Sequence, residues 1–191
     1  MNDDSNVSSN PNDKLNAIKH SISVIESPNL IMKFIDPKID DLSSYLSWMK
    51  DSESNVFIQD SDKSYNLERL LKYVGEKNQK PDCIFLGIYF RLNNDHIGNI
   101  KFEPINLENG STWLGILLGD SQYAGKGYAG EAIRFASKFL NEKHGIQDFY
   151  LGVNLENDRA IRVYQKLGFS IYSRVQSENS VTMHLSLATT T

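Results

Sequence analysis

Between residues 83 and 118 the apolar residues leave a helical period and take up an alternating one, and this stretch limits the possible folds more than any other. Residues 83–92 (CIFLGIYFRL) are bulky and β-branched, 96–105 (HIGNIKFEPI) alternate, and 111–118 (STWLGILL) follow. Asn93-Asn94-Asp95 separates the first two runs, and Asn109-Gly110, a strong hairpin signal, separates the second and third. Three strands joined by short turns predict an antiparallel meander.

The flanking segments read as mixed α and β. Residues 29–35 (NLIMKFI) form a strand that Pro37 ends. Asp40 or Asp41 caps a helix to about Asp51, with Leu42, Tyr45, Leu46 and Met49 at helical spacing. Residues 64–77 form a second helix, with Leu67, Leu70, Leu71 and Val74 on one face and Gly75 near its end. Beyond the meander, 128–143 is a helix with Ala129, Ala132, Ile133, Ala136, Phe139 and Leu140 inward and Gly145 ending it. A strand (149–153), a short helix (158–167, closed by Gly168) and two strands (169–175 and 181–187) complete the chain. Residues 1–27, rich in Asn, Ser and Asp, read as a disordered or weakly structured tail, within which 15–25 is apolar enough for a short docking segment. The folded domain is then 28–188.

The 191 residues suit a single domain, and 40% hydrophobic content suffices for a core. A net charge of −4 leaves no basic excess for phosphate backbones, so a nucleic-acid partner is not expected. No apolar run approaches about 18 residues and no signal pattern opens the chain, so neither a membrane partner nor export is expected, and the expected location is the cytoplasm. Cys83, the one cysteine, sits in an apolar strand and reads as a core residue. No His/Cys/Asp cluster has metal-ligand spacing.

The chemistry concentrates after the third meander strand. Gln122-Tyr123-Ala124-Gly125-Lys126-Gly127-Tyr128-Ala129-Gly130 follows a strand and opens a helix. The first turn of a helix offers unpaired N–H groups and the positive end of its dipole, and glycines let a phosphate approach the backbone. A pyrophosphate fits this loop, and Lys126 adds a cation. Gly125-x-Gly127-x-x-Gly130 also meets the dinucleotide fingerprint, which would make the chain an NAD(P)-dependent oxidoreductase. That fingerprint normally opens a parallel sheet, whereas here it follows an antiparallel meander with only about sixty residues to come.

Gln122 through Gly127 fits in full the coenzyme A loop of the GNAT superfamily of N-acetyltransferases: Gln or Arg, two residues, Gly, one residue, Gly or Ala. Asn157-Asp158-Arg159-Ala160, followed by Tyr164-Gln165-Lys166-Leu167-Gly168-Phe169, resembles that superfamily's second signature. The resemblance is strongest over 96–175 and reaches residue 29 more weakly, where the helix with Trp48 is similar to the ribosomal-protein N-terminal acetyltransferases. It implies a single mixed, mostly antiparallel α/β sheet of seven strands, splayed at strands 4 and 5 and flanked by about four helices. It implies acetyl-CoA as co-substrate and no metal. Ile116, Leu117 and Leu118 would bond the pantetheine arm, Gln122, Tyr123, Ala124, Gly125, Lys126, Gly127, Tyr128 and Ala129 would hold the pyrophosphate, and Asn157 would bond the pantetheine. Arg159 and Arg162 either flank the phosphates or decorate a helix. Tyr164 would act as general acid toward the leaving thiolate and also touch the cofactor. Glu103 is the first candidate base, with His96, Asp120 and His184 behind it, and a water chain is an alternative to all four.

The acceptor is a small-molecule or peptide amine. His96-Ile97-Gly98-Asn99-Ile100-Lys101 resembles acetyltransferases of bacterial surface-sugar synthesis, which implies a nucleotide-linked amino sugar; the phrase also occurs in N-terminal acetyltransferases of the ribosomal type. A sugar nucleotide needs a cationic site, and a peptide needs a groove between the early helices and the last hairpin. Trp48 and Trp113 line such a cleft or pack in the core. Monomer and homodimer are both compatible with the sequence.

Overall fold

The computed structural model describes residues 10–50, 66–175 and 179–188. Its elements run α1 (Pro11–Ser21), β1 (Ile25–Glu26), β2 (Leu30–Phe34), α2 (Ser43–Lys50), α3 (Leu67–Gln79), β3 (Ile84–Phe90), β4 (His96–Asn106), β5 (Ser111–Leu118), a 3₁₀ turn (Ser121–Tyr123), α4 (Tyr128–His144), β6 (Asp148–Asn154), α5 (Asp158–Lys166), β7 (Ser170–Val175) and β8 (Ser180–Ser186). Residues 51 and 64, at the expected ends of two helices, lie outside the described residues.

All eight strands join one sheet in the order β1-β2-β3-β4-β5-β6-β8-β7. The meander β3-β4-β5 pairs antiparallel as its turns dictate, and β5–β6 is the one parallel pair, the connection between them being α4. The sheet is mixed and mostly antiparallel; its eighth strand is the two-residue β1, which pairs Ile25 with Met32.

Alternation along the strands builds two cores. Ile84, Leu86 and Ile88 of β3, Ile100 and Phe102 of β4, and Phe149, Leu151 and Val153 of β6 pack with Ala132, Ile133, Ala136 and Leu140 of α4. A second cluster joins Tyr45, Trp48 and Met49 of α2 to Leu70 and Val74 of α3, with Cys83 and Phe85 beneath them. The indole of Trp48 lies so close to Gly119 that a Cβ there would sit 2.1 Å from Cδ2, so only glycine fits at the end of β5.

Residues 10–27 are not the weakly structured tail that their composition suggests. Asn10 caps α1 through a bond from the Asn12 N–H, Pro11 stands in its first turn, and Leu15, Ile18 and Ile22 reach the α4 core. The Lys19 ammonium donates to the carbonyls of Asn78 (2.6 Å) and Lys80 (2.7 Å), closing the C-terminal end of α3.

Cys83 is 0% exposed, and burial, helped by the charge of Glu103, pushes its thiol up to about 11. Ellman's reagent near about pH 8 should therefore label the native protein far more slowly than the chain unfolded in guanidinium chloride. Equal rates would mean that the edge of β3 opens readily.

Candidate active site

The site begins where the sheet separates. β5 and β6 pair at three positions only, Ser111 with Asp148, Thr112 with Phe149 and Trp113 with Tyr150. Beyond Trp113, β5 stays with β4 as far as Leu118 opposite Gly98, while β6 follows β8 as far as Asn154 opposite Ser180. A cleft of about 1680 Å³ opens between them, lined by Ile116, Leu117 and Leu118 on one side and by Leu151, Gly152 and Val153 on the other. The edge of β5 that faces the splay has no strand partner there, so its backbone groups are open to a ligand that runs alongside.

Across the mouth lies the glycine loop. Gly125 (φ +79°) and Gly127 (φ +89°) adopt left-handed backbone that side chains resist. Gly127 is the N-cap of α4, and no side chain caps this end. The first bond into the helix runs from the Glu131 N–H to the Gly127 carbonyl (3.0 Å), which leaves the preceding amides unused by the helix and turned toward its mouth. Ala124, Gly125, Lys126, Gly127, Tyr128 and Ala129 all line the cleft, and Arg159 reaches in beside Gly125. Gln122 and Tyr123, although within the motif, are not in the lining. Asp120 accepts from the Gln122 N–H, which curls this part into the 3₁₀ turn, and the Tyr123 ring packs against Phe90 and Tyr128 with its hydroxyl donating to Asp95 (2.6 Å). Tyr123 anchors the loop from behind.

The third wall is α5. Asn157 caps it by accepting from the Ala160 N–H (3.1 Å), so its Oδ1 is occupied and its amide N–H₂ remains for a ligand. Tyr164 lies one helical face along, lines the cleft and tilts against Phe169, with ring centroids 5.9 Å apart. Burial raises the pKa of its phenol, so the proton is held at neutral pH.

The family described as an acetyltransferase (GNAT) domain matches residues 32–170, most of the chain. The chain belongs to the GNAT acetyltransferases. Solved structures agree in fold. An acetyltransferase of the GNAT family from Bacillus anthracis is 18% identical, with a TM-score of 0.72 over 85% of this chain and 98% of that one. The ribosomal alpha-N-protein acetyltransferase RimL, solved with coenzyme A, is 13% identical, with a TM-score of 0.73 over 86% and 98% of the two chains. The microcin self-immunity acetyltransferase MccE, solved with acetyl-CoA and AMP, is 13% identical, with a TM-score of 0.68 over 84% and 94%. As a GNAT acetyltransferase the protein uses acetyl-CoA as its co-substrate, and the dinucleotide reading of the three glycines falls away.

Each of the four candidate bases is engaged elsewhere. Glu103 receives Lys77 at 2.6 Å, Lys80 at 2.8 Å and Lys101 at 3.1 Å. Burial opposes its charge, but the bonds from the three lysines outweigh burial and hold it at about 2. A carboxylate so held has too little proton affinity to suit it to take the amine's proton. His96 is wedged among Tyr45, Trp48 and Tyr89, its Nε2 faces the Gly98 carbonyl and Asn99 Oδ1 (both 3.0 Å), and burial lowers its pKa. Asp120 closes the 3₁₀ turn, and His184 pairs with Asp148 at 2.7 Å. Among the described residues no group of three or more His, Cys, Asp or Glu could hold a metal ion, and no helix is long and apolar enough to cross a membrane.

The wall opposite the glycine loop was only partly anticipated, through Trp113, the 96–101 phrase and the groove beside the early helices. It gathers Tyr45 and Met49 from α2, Arg69, Lys72 and Tyr73 from α3, Asn99 and Lys101 from β4, and Trp113 from β5. Within it the period-2 row Asn99, Lys101, Glu103 is a further sequence signal, three polar residues on one face of a strand.

Two outcomes follow from this geometry. Gly125→Asp places a side chain on left-handed backbone and a negative charge where a pyrophosphate would lie; calorimetry should show acetyl-CoA binding lost, and unchanged affinity would remove the loop from the site. The Glu103 carboxyl is depressed when folded, so its contribution to stability is present above the ordinary glutamate range and lost as pH falls toward about 2. The Tm of Glu103→Gln should lie below that of the native protein at neutral pH, and the gap should narrow as pH drops below about 4. A gap independent of pH would contradict the charge assignment.

Proposed function

We propose that the protein acetylates the primary amine of a nucleotide-linked amino sugar, with Tyr164 as general acid. The observation that carries the acceptor assignment is the positive lining beside the splay. Arg69, Lys72 and Lys101 border it against Glu76, paired with Lys72 (3.9 Å), and Glu103, which also receives Lys77 and Lys80 from behind the lining. Such a wall favours an acceptor with phosphates and disfavours a polycation. MccE, with AMP beside acetyl-CoA, is a neighbour in fold that holds a nucleotide.

In this reading the bound acetyl-CoA supplies an acetyl thioester. The Gly125–Gly127 amides, Lys126 and Arg159 hold its pyrophosphate at the mouth, and the free edge of β5 orients the arm. The neutral amine attacks the carbonyl carbon, the C–N bond forms and the C–S bond breaks. Tyr164 gives its phenolic proton to the departing sulfur, and solvent returns a proton to it. Water removes the amine's own proton, since Glu103, His96, Asp120 and His184 are all otherwise engaged.

A second reading has an observation of its own. The cleft reaches from Tyr45, Arg69 and Tyr73 on the early helices to Val181 and Thr182 on the last hairpin, the path that a peptide N-terminus would need.

Acetylation of UDP-glucosamine, spermidine and a short Ser-initiated peptide, compared at equal concentration, separates these readings. The sugar nucleotide should be preferred; preference for the peptide would move the function to N-terminal acetylation. For the preferred amine, Tyr164→Phe should lower kcat by about a hundred- to ten-thousand-fold while acetyl-CoA affinity stays within about twofold. An unaltered kcat would take Tyr164 out of the mechanism.

A further inference from the structure

The β5–β6–β8–β7 half of the sheet carries a row of rings on the face opposite α4. Trp113 lies against Tyr150 (centroids 5.8 Å apart, planes 33°), and Tyr150 stacks on His184 (4.6 Å, 22°). Tyr172 closes edge-on against Tyr150 and His184, and Asp148 fixes His184 through a 2.7 Å pair. The row therefore has a braced end, at His184, and an open end, at Trp113.

The open end fronts the cleft. Trp113 lines it and Tyr150, His184 and Tyr172 do not, so Trp113 is the member of the row that meets the cleft. Trp113 is 44% exposed, whereas Trp48, the other tryptophan, is 6% exposed in the α2–α3 core. Two residues along β5, roughly 7 Å away on the same face, stands Gly115. Lys101 pairs with it across the strands and its side chain drapes toward it, with Cε 4.0 Å from where a Gly115 Cβ would be. A bare glycine thus leaves room for the Lys101 side chain beside the strand that carries Trp113, while its ammonium bonds Glu103 (3.1 Å).

We propose that Trp113 is the stacking face for the base of the nucleotide carried by the acceptor, with Lys101 beside it as a contact for that nucleotide's phosphates. The inference rests on the nucleotide-linked acceptor proposed above and names the residues that recognise it. A planar base extends the row by one ring. The bracing by Tyr150, His184 and Asp148 holds the indole in place before the ligand arrives, so little side-chain freedom is lost on binding. An aromatic face beside a cation is the pairing that nucleotides favour, since every base has a π-face and every phosphate a charge. Glu103, which also bonds Lys101, is held by Lys77 and Lys80 as well, so a phosphate near Lys101 meets a cluster in which positive charge is in excess.

The test uses the full chain saturated with coenzyme A, so that the adenine of the cofactor is already bound, and UDP as the probe. UDP should quench tryptophan emission saturably, and inorganic pyrophosphate should not. Trp113→Phe, which leaves only Trp48 to emit, should abolish the quenching. Trp113→Ala should weaken UDP binding about tenfold or more by calorimetry, with coenzyme A affinity unchanged as the check that the cleft is intact. UDP that leaves the emission of the native chain unaltered, or that binds Trp113→Ala as tightly as the native protein, overturns the proposal. Stacking of UDP without acetylation of any amino-sugar nucleotide would keep this subsite and remove the acceptor reading. Acetylation of UDP-glucosamine without an effect of Trp113→Ala on its KM would do the reverse.

Discussion

The cleft in which the proposed chemistry is placed depends on the parting of β5 from β6 after three paired residues. A sheet edge left open inside a fold is a cost, because its N–H and C=O groups need partners. In the proposed mechanism the partner is the arm of acetyl-CoA. The pairings on either side explain why the gap cannot close: β5 is held to β4 through Leu118, and β6 is held to β8 through Asn154. A bulge between Phe102 and Ile105 adds twist on the β4 side. The loop before α4 and the start of α5 then border a cleft that the sheet has already made.

Charge gives the two ends of that cleft their character. At the mouth it comes from backbone amides and from Lys126 and Arg159. On the acceptor side it comes from a cluster that holds the fold together as well. Lys77 and Lys80 come from α3 and the residue after it, Lys101 and Glu103 from β4, and α3 itself is closed by Lys19 of α1. The N-terminal helix thus steadies the lysine cluster beside the proposed acceptor wall, though it lies outside the cleft.

The sequence was legible wherever one short window carried the information. β3, β4, β5, α4, β6 and α5 lie within a residue or two of where period and turn residues put them, because alternation in the meander and the Gly145 and Gly168 stops are unambiguous. The α1 helix was missed since only Leu15, Ile18 and Ile22 stand apolar among Asn, Asp and Lys, a stripe too thin to outweigh composition; Asn10-Pro11 was the signal available. The turn of the glycine loop into α4 could be read because glycines at a helix start are a local signal. Tyr123 shows the limit of motif reading, as its position is in the pattern while its ring belongs to Phe90, Tyr128 and Asp95. The acceptor wall was only partly readable, for it joins residues from α2, α3, β4 and β5 that only the tertiary fold brings together.

Helix α5 shows how the phenol proposed above as proton donor is positioned by packing. Of its nine residues Ala160, Ile161, Val163 and Tyr164 are half-buried, and Ala160, Ile161 and Tyr164, with Leu167 just beyond, are spaced so that one face meets the main core. That stripe is what docks the helix, so the tyrosine is part of the packing that positions it. The same burial raises its pKa and keeps the phenol neutral. A group that must hold its proton until a thiolate appears needs little more than this: a fixed place beside the cleft and a poor environment for its own anion. In the proposed mechanism the catalytic property and the folding requirement become one constraint, because the packing that docks the helix is also what buries the tyrosine.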